Sequence, residues 1–89
     1  MDHIKKKLIN DFIDEVTTQG FECIPIFTMD EEERFISLKV SDESEVPIFE
    51  IYFSSGNYVS FYKSLKQSKG DLNWLFNKLF ELLYELEEA

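Results

Sequence analysis

Apolar residues recur at helical spacing at both ends of this 89-residue chain and alternate with polar ones in between. That change of period constrains the fold more than any other feature, because each stripe it creates must be buried against something. From residue 2 to about 18, Ile4, Leu8, Ile9, Phe12, Ile13 and Val16 form one wide stripe, with Asp11, Asp14 and Glu15 off it. Gly20, after Thr17-Thr18-Gln19, is a natural helix stop. From about 72 to 87, Leu72, Leu75, Phe76, Leu79, Leu82, Leu83 and Leu86 make a second stripe with Phe80 at its border, and Asp71 is placed to cap it.

Four short runs with β character lie between the helices, at 21–28, 34–40, 47–54 and 58–63. Pro25 marks the first as an edge strand, since proline offers no N–H to a ladder. Met29 to Glu33, Ser41 to Glu45 and the hairpin signal Ser55-Gly56-Asn57 connect them. Connections this short predict an antiparallel meander, so the order is α-β-β-β-β-α, an α+β two-layer sandwich in one domain over 1–89. One face, bearing Ile36, Leu38, Val40, Phe49, Ile51, Phe53, Val59 and Phe61, is expected to meet the helices. The other presents Phe35, Ile48, Tyr52, Tyr58 and Tyr62 around Lys39 and Glu50. Both helices on one side is the simplest packing; the N-terminal helix or a second copy of the chain is an alternative cover for the outer face.

Charge separates the function classes. Eighteen acids face nine basic residues, for a net charge of −9, and they are unevenly spread. Residues 8–50 hold twelve acids against Arg34 and Lys39, whereas residues 51–70 hold Lys63, Lys66 and Lys69 and no acid. A hydrophobic fraction of 44% and an aromatic fraction of 16% are too high for a disordered acidic tail, so the charge is carried by a folded body. Such asymmetry favours a basic partner and opposes direct nucleic-acid binding.

Enzyme chemistry finds no visible constellation. His3 is the lone histidine, and Cys23 stands alone without a neighbouring base or a second metal-binding cysteine. The glycines at 20, 56 and 70 form no phosphate loop, and the acid run lacks the spacing of a calcium loop. The expectation is a non-catalytic protein with no cofactor and no metal. The lone cysteine, the lack of an apolar run of signal-peptide length after Met1 and the lack of a membrane span make a cytoplasmic protein the plain expectation.

The candidate binding residues follow from the turns. In a meander, Asp30, Glu31, Glu32 and Glu33 lie at one end of the second strand and Asp42, Glu43 and Glu45 at the other, roughly 20–25 Å apart. That is comparable to the width of a DNA duplex. Asp11, Asp14 and Glu15 reinforce such a surface. In size, charge and α/β build the chain resembles small phage-borne anti-restriction, anti-CRISPR and glycosylase-inhibitor proteins. The resemblance is compositional and transfers no residue. It implies an inhibitor that occupies the basic nucleic-acid-binding groove of a partner protein as a DNA mimic does. The alternative is an immunity protein or dedicated chaperone that holds one cognate toxin or effector through the aromatic sheet face, with Tyr52, Tyr58 and Tyr62. Trp74, off the leucine stripe beside Lys78, Glu81 and Glu85, is covered by the 64–70 connector or anchors a partner.

Overall fold

The computed structural model describes residues 3–54 and 56–89, in the order α-β-β-β-β-α. Helix α1 spans His3–Thr18, and strands β1 to β4 span Glu22–Phe27, Phe35–Ser41, Pro47–Tyr52 and Tyr58–Phe61. A 3-10 turn at Lys63–Gln67 leads to helix α2, Leu72–Glu88. The predicted helix start at Asp2 and the hairpin position Ser55 lie outside the described residues. The sheet order is β1-β2-β3-β4, every pair antiparallel, so Pro25 does sit on an edge strand.

Both helices lie on the same face of the sheet. Ile9, Phe12 and Val16 of α1 and Leu75, Leu79, Leu82 and Leu86 of α2 share one buried cluster with Leu38, Val40, Phe49 and Ile51. The helices run antiparallel, with Lys78 near the start of α2 reaching Glu15 near the end of α1. Phe76 fixes α2 over the β3–β4 side through ring contacts with Phe49 at 6.5 Å and Phe61 at 5.9 Å. Asp71 caps α2 as expected, its carboxylate accepting from the Trp74 N–H at 3.0 Å.

Two β-bulges correct the predicted faces. Ile26 pairs with Ser37 but Phe27 pairs with Phe35, so Ile36 is an extra, unpaired residue on β2. Because side-chain direction alternates along a strand, the extra residue turns Phe35 inward. Phe35, expected on the outer face, is buried against Phe27 and Phe53, and Ile36, expected in the core, is partly exposed. The second bulge lies where Val40 pairs with Phe49 but Ser41 pairs with Pro47, leaving Ile48 extra. Ile48, also expected outside, joins the core cluster.

Phe61, placed in the predicted core, is 48% exposed at the sheet edge, and Val59 and Phe53 are only half-buried. Among the described residues, no helix lies over the outer sheet face. It presents Ile24, Ile26 and Tyr58 openly, with Tyr52 and Tyr62 half-buried.

Candidate binding surfaces

The two acidic turns are not equivalent, and neither is a clean anionic patch. Asp42 is 1% exposed. Its Oδ1 accepts from the N–H groups of Ser44 and Val46 at 2.9 Å each, and its Oδ2 from the Lys69 N–H at 2.9 Å. The Val46 N–H does most to hold this carboxyl below the ordinary aspartate range; burial opposes it, and the Lys69 and Ser44 N–H groups add to the lowering. Asp42 therefore staples a turn to the loop before α2 and leaves no oxygen for a partner. Glu43 and Glu45 remain exposed, but Glu43 shares a hollow with Lys69.

At the other end of β2, Arg34 neutralises part of the acid run. Its Nη2 meets Asp30 at 2.7 Å and its Nε meets Glu32 at 3.4 Å. Asp30 also accepts from the Thr28 hydroxyl at 2.7 Å and the Glu32 N–H at 3.1 Å, closing its own turn. The Thr28 hydroxyl first and the Arg34 guanidinium second depress the Asp30 carboxyl. Lys6 donates to the Glu32 carbonyl at 3.2 Å, and Lys5 lines a hollow of about 520 Å³ with Arg34, Phe35 and Phe53. Lys5 and Lys6 of α1 and Arg34 just before β2 thus interleave with Asp30, Glu31, Glu32 and Glu33, and the expected pair of bare anionic turns is not what the fold builds.

Acids converge instead on the solvent side of the helix pair. Asp11 and Glu15 of α1 and Glu81 and Glu85 of α2 line a groove of about 210 Å³ with Leu8, Phe12, Lys78 and Leu82. The i,i+4 spacing within each helix puts each pair of carboxylates on one side, a single turn apart. Lys7 pairs with Asp11 at 2.9 Å and Lys78 with Glu15 at 3.1 Å. Asp14, Glu81 and Glu85 have no ion pair among the described residues. Glu15, through its hydrogen bond first, and the fields of Glu81 and Glu85 raise the affinity of Lys78 for its proton.

Trp74 stands at one end of this groove. It is half-buried and lines a hollow with Asp14, Glu15, Thr18, Gln19 and Lys78. Lys78 Nζ lies 5.8 Å from its ring centroid, within cation–π range. The end of α1 borders it there. The acids on α2 were visible in the sequence only as a helical face; pairing them with Asp11, Asp14 and Glu15 required the antiparallel helix packing.

On the open sheet face, Glu50 organises the tyrosines. Its Oε1 accepts from the Tyr62 hydroxyl at 2.9 Å and from the Tyr52 hydroxyl at 3.0 Å. These bonds to a carboxylate, with burial adding to them, push both phenols above the ordinary tyrosine range. Tyr58 packs on Tyr52 with centroids 6.0 Å apart and is 60% exposed. Ile24 and Ile26, to which the sequence reading assigns no face, complete this surface.

Cys23 faces the helices with its thiol pushed up to about 11, chiefly by burial, against a smaller lowering by Thr17. It is a protonated thiol at neutral pH and a poor nucleophile. Among the described residues, no group of three or more His, Cys, Asp and Glu side chains is placed to hold a metal ion. Among the described residues, no helix is long and apolar enough to cross a membrane. No family model matches the sequence, and neither a curated protein nor a solved structure matches it.

Proposed function

We propose that this chain is a non-catalytic protein-binding inhibitor that engages a basic, nucleic-acid-handling surface of its partner through the acidic groove between α1 and α2. The observation that carries the reading is the convergence of Asp11, Asp14, Glu15, Glu81 and Glu85 on one rigid helix pair, with Trp74 at its end. Two antiparallel rows of carboxylates attract an Arg- or Lys-rich ridge and fast, salt-sensitive association follows from their field. A half-buried tryptophan beside them supplies apolar contact once the partner docks. The mechanism is competition: a basic groove filled by this acidic face no longer admits phosphates. The exposed Glu31, Glu33, Glu43 and Glu45 extend the field without forming the contact.

The open sheet face favours a second reading, an immunity- or chaperone-type protein holding its partner by Ile24, Ile26, Tyr58, Tyr52 and Tyr62. The two are separated by affinity capture from host cells with three baits: the wild type, Glu81→Lys/Glu85→Lys, and Ile24→Lys/Tyr58→Lys. The expected result is a basic protein retained by the wild type and the sheet variant and lost by the helix variant. Retention by the helix variant with loss by the sheet variant overturns the groove reading in favour of the second.

A further inference from the structure

The two edges of the sheet are built differently. Edge strand β1 carries Pro25 and Glu22, devices that discourage another strand from pairing. Edge strand β4 is Tyr58-Val59-Ser60-Phe61, with no charge and no proline. The Tyr62 N–H donates to the Ile48 carbonyl at 3.0 Å, so by the alternation of an antiparallel ladder Tyr58 and Ser60 also turn their backbone groups toward β3. Val59 and Phe61 turn theirs outward.

The helix above this edge is apolar on the same side. Phe76 touches Phe61, and Phe80, one turn further along α2, is 59% exposed; Leu83, on the core side of Phe76, is half-buried. Phe61 at the strand edge and Phe80 on the same side of α2 as Phe76 are thus left exposed, and among the described residues no further strand pairs with β4.

We propose that β4 and this flank of α2 form an isologous dimer interface, in which β4 pairs antiparallel with β4 of a second copy. The inference is independent of the role of the helix groove, which lies on the opposite flank of α2.

Local charge complementarity, set against the net −9 of each copy, fits a second copy as the occupant. Within one chain, Lys63 follows the Phe61 end of β4, whereas the end of α2 lies over the other end, where Leu86 lines a hollow with Gly56 and Asn57. Antiparallel two-fold pairing reverses one copy and brings Lys63 of each toward Glu87 of the other. The paired strands themselves set no charges opposite one another. Phe61 and Phe80, each about half-exposed, offer roughly 200 Å² per copy, and the strand edges with their flanking side chains must supply the rest of the roughly 1,000 Å² total of a specific interface.

Sedimentation equilibrium across the micromolar range tests this, using the wild type, Phe80→Lys, Val59→Pro, Lys63→Glu, and the double variant Lys63→Glu/Glu87→Lys. Val59→Pro removes an outward N–H together with a half-buried side chain, so far-UV circular dichroism checks that each variant is folded. The expected result is a two-chain mass for the wild type and a one-chain mass for folded Phe80→Lys and Val59→Pro. Lys63→Glu weakens dimerisation roughly tenfold in Kd, and the double variant restores it. A one-chain mass for the wild type throughout overturns the proposal. So does a dimer untouched by Phe80→Lys and Val59→Pro, which assigns the contact to another surface such as the open sheet face. If both variants unfold, failure of the charge swap to restore what Lys63→Glu loses overturns it as well.

Discussion

Asp42 is an acid that the fold consumes internally. Three backbone N–H groups converge on its carboxylate, and the Lys69 N–H comes from the loop that launches α2. Its lowered folded value means that its contribution is present above the ordinary aspartate value and is lost as pH falls through the folded one. Asp42→Asn keeps one acceptor oxygen but faces the Lys69 N–H with an amide when that oxygen serves Ser44 and Val46. The expected outcome is a melting temperature lowered by several degrees at neutral pH, with a flatter pH dependence on the acid side than in the wild type. Thermal melts across acid pH check both; an unchanged acid slope would show that the carboxylate does not hold this turn. Nothing in the sequence distinguished Asp42 from Glu43 or Glu45, since burial of a turn residue depends on a loop 27 positions away.

At the scale of elements, Gly70 shows why the connector meets α2 as it does. Its φ of +117° lies outside the range of ordinary side chains, and an added Cβ would stand 2.9 Å from the buried ring of Phe21. Gly56 has a φ of +84° with open space around it. Gly56→Ala is expected to cost about 1–2 kcal/mol, the backbone penalty alone. Gly70→Ala pays that penalty and must also displace Phe21, so its loss in urea unfolding should be the larger; equal losses would show that Phe21 yields freely. The helices, the meander and the Asp71 cap were legible because each is set by local periodicity and turn chemistry. The bulges were not. They follow from how neighbouring strands align, so Phe35, Ile36 and Ile48 fell on the wrong faces although the strands themselves lay close to their predicted positions. The helix groove was half legible: Asp11, Asp14, Glu15 and Trp74 stood out, and Glu81 and Glu85 joined them only once the helices were packed.

The whole molecule is a sheet open on one face, with two helices on the other whose outer groove is acidic. At a net charge of −9 its own field opposes compaction. Adding monovalent salt from low to physiological strength should therefore raise the melting temperature, and a fall on adding salt would mean that the ion pairs of Lys7, Arg34 and Lys78 outweigh the repulsion. Trp74, the only tryptophan, lies at the end of the groove and reports on it directly. The decisive measurement is Trp74 emission during titration with an oligo-arginine peptide free of aromatic residues. Wild type, Glu81→Lys/Glu85→Lys and Glu31→Lys/Glu33→Lys are compared, the two variants having equal net charge. The expected result is a saturable change in the wild type and the turn variant, abolished by high salt and by reversal of Glu81 and Glu85. Equal responses in both variants, or none in the wild type, would contradict the assignment of binding to the helix groove.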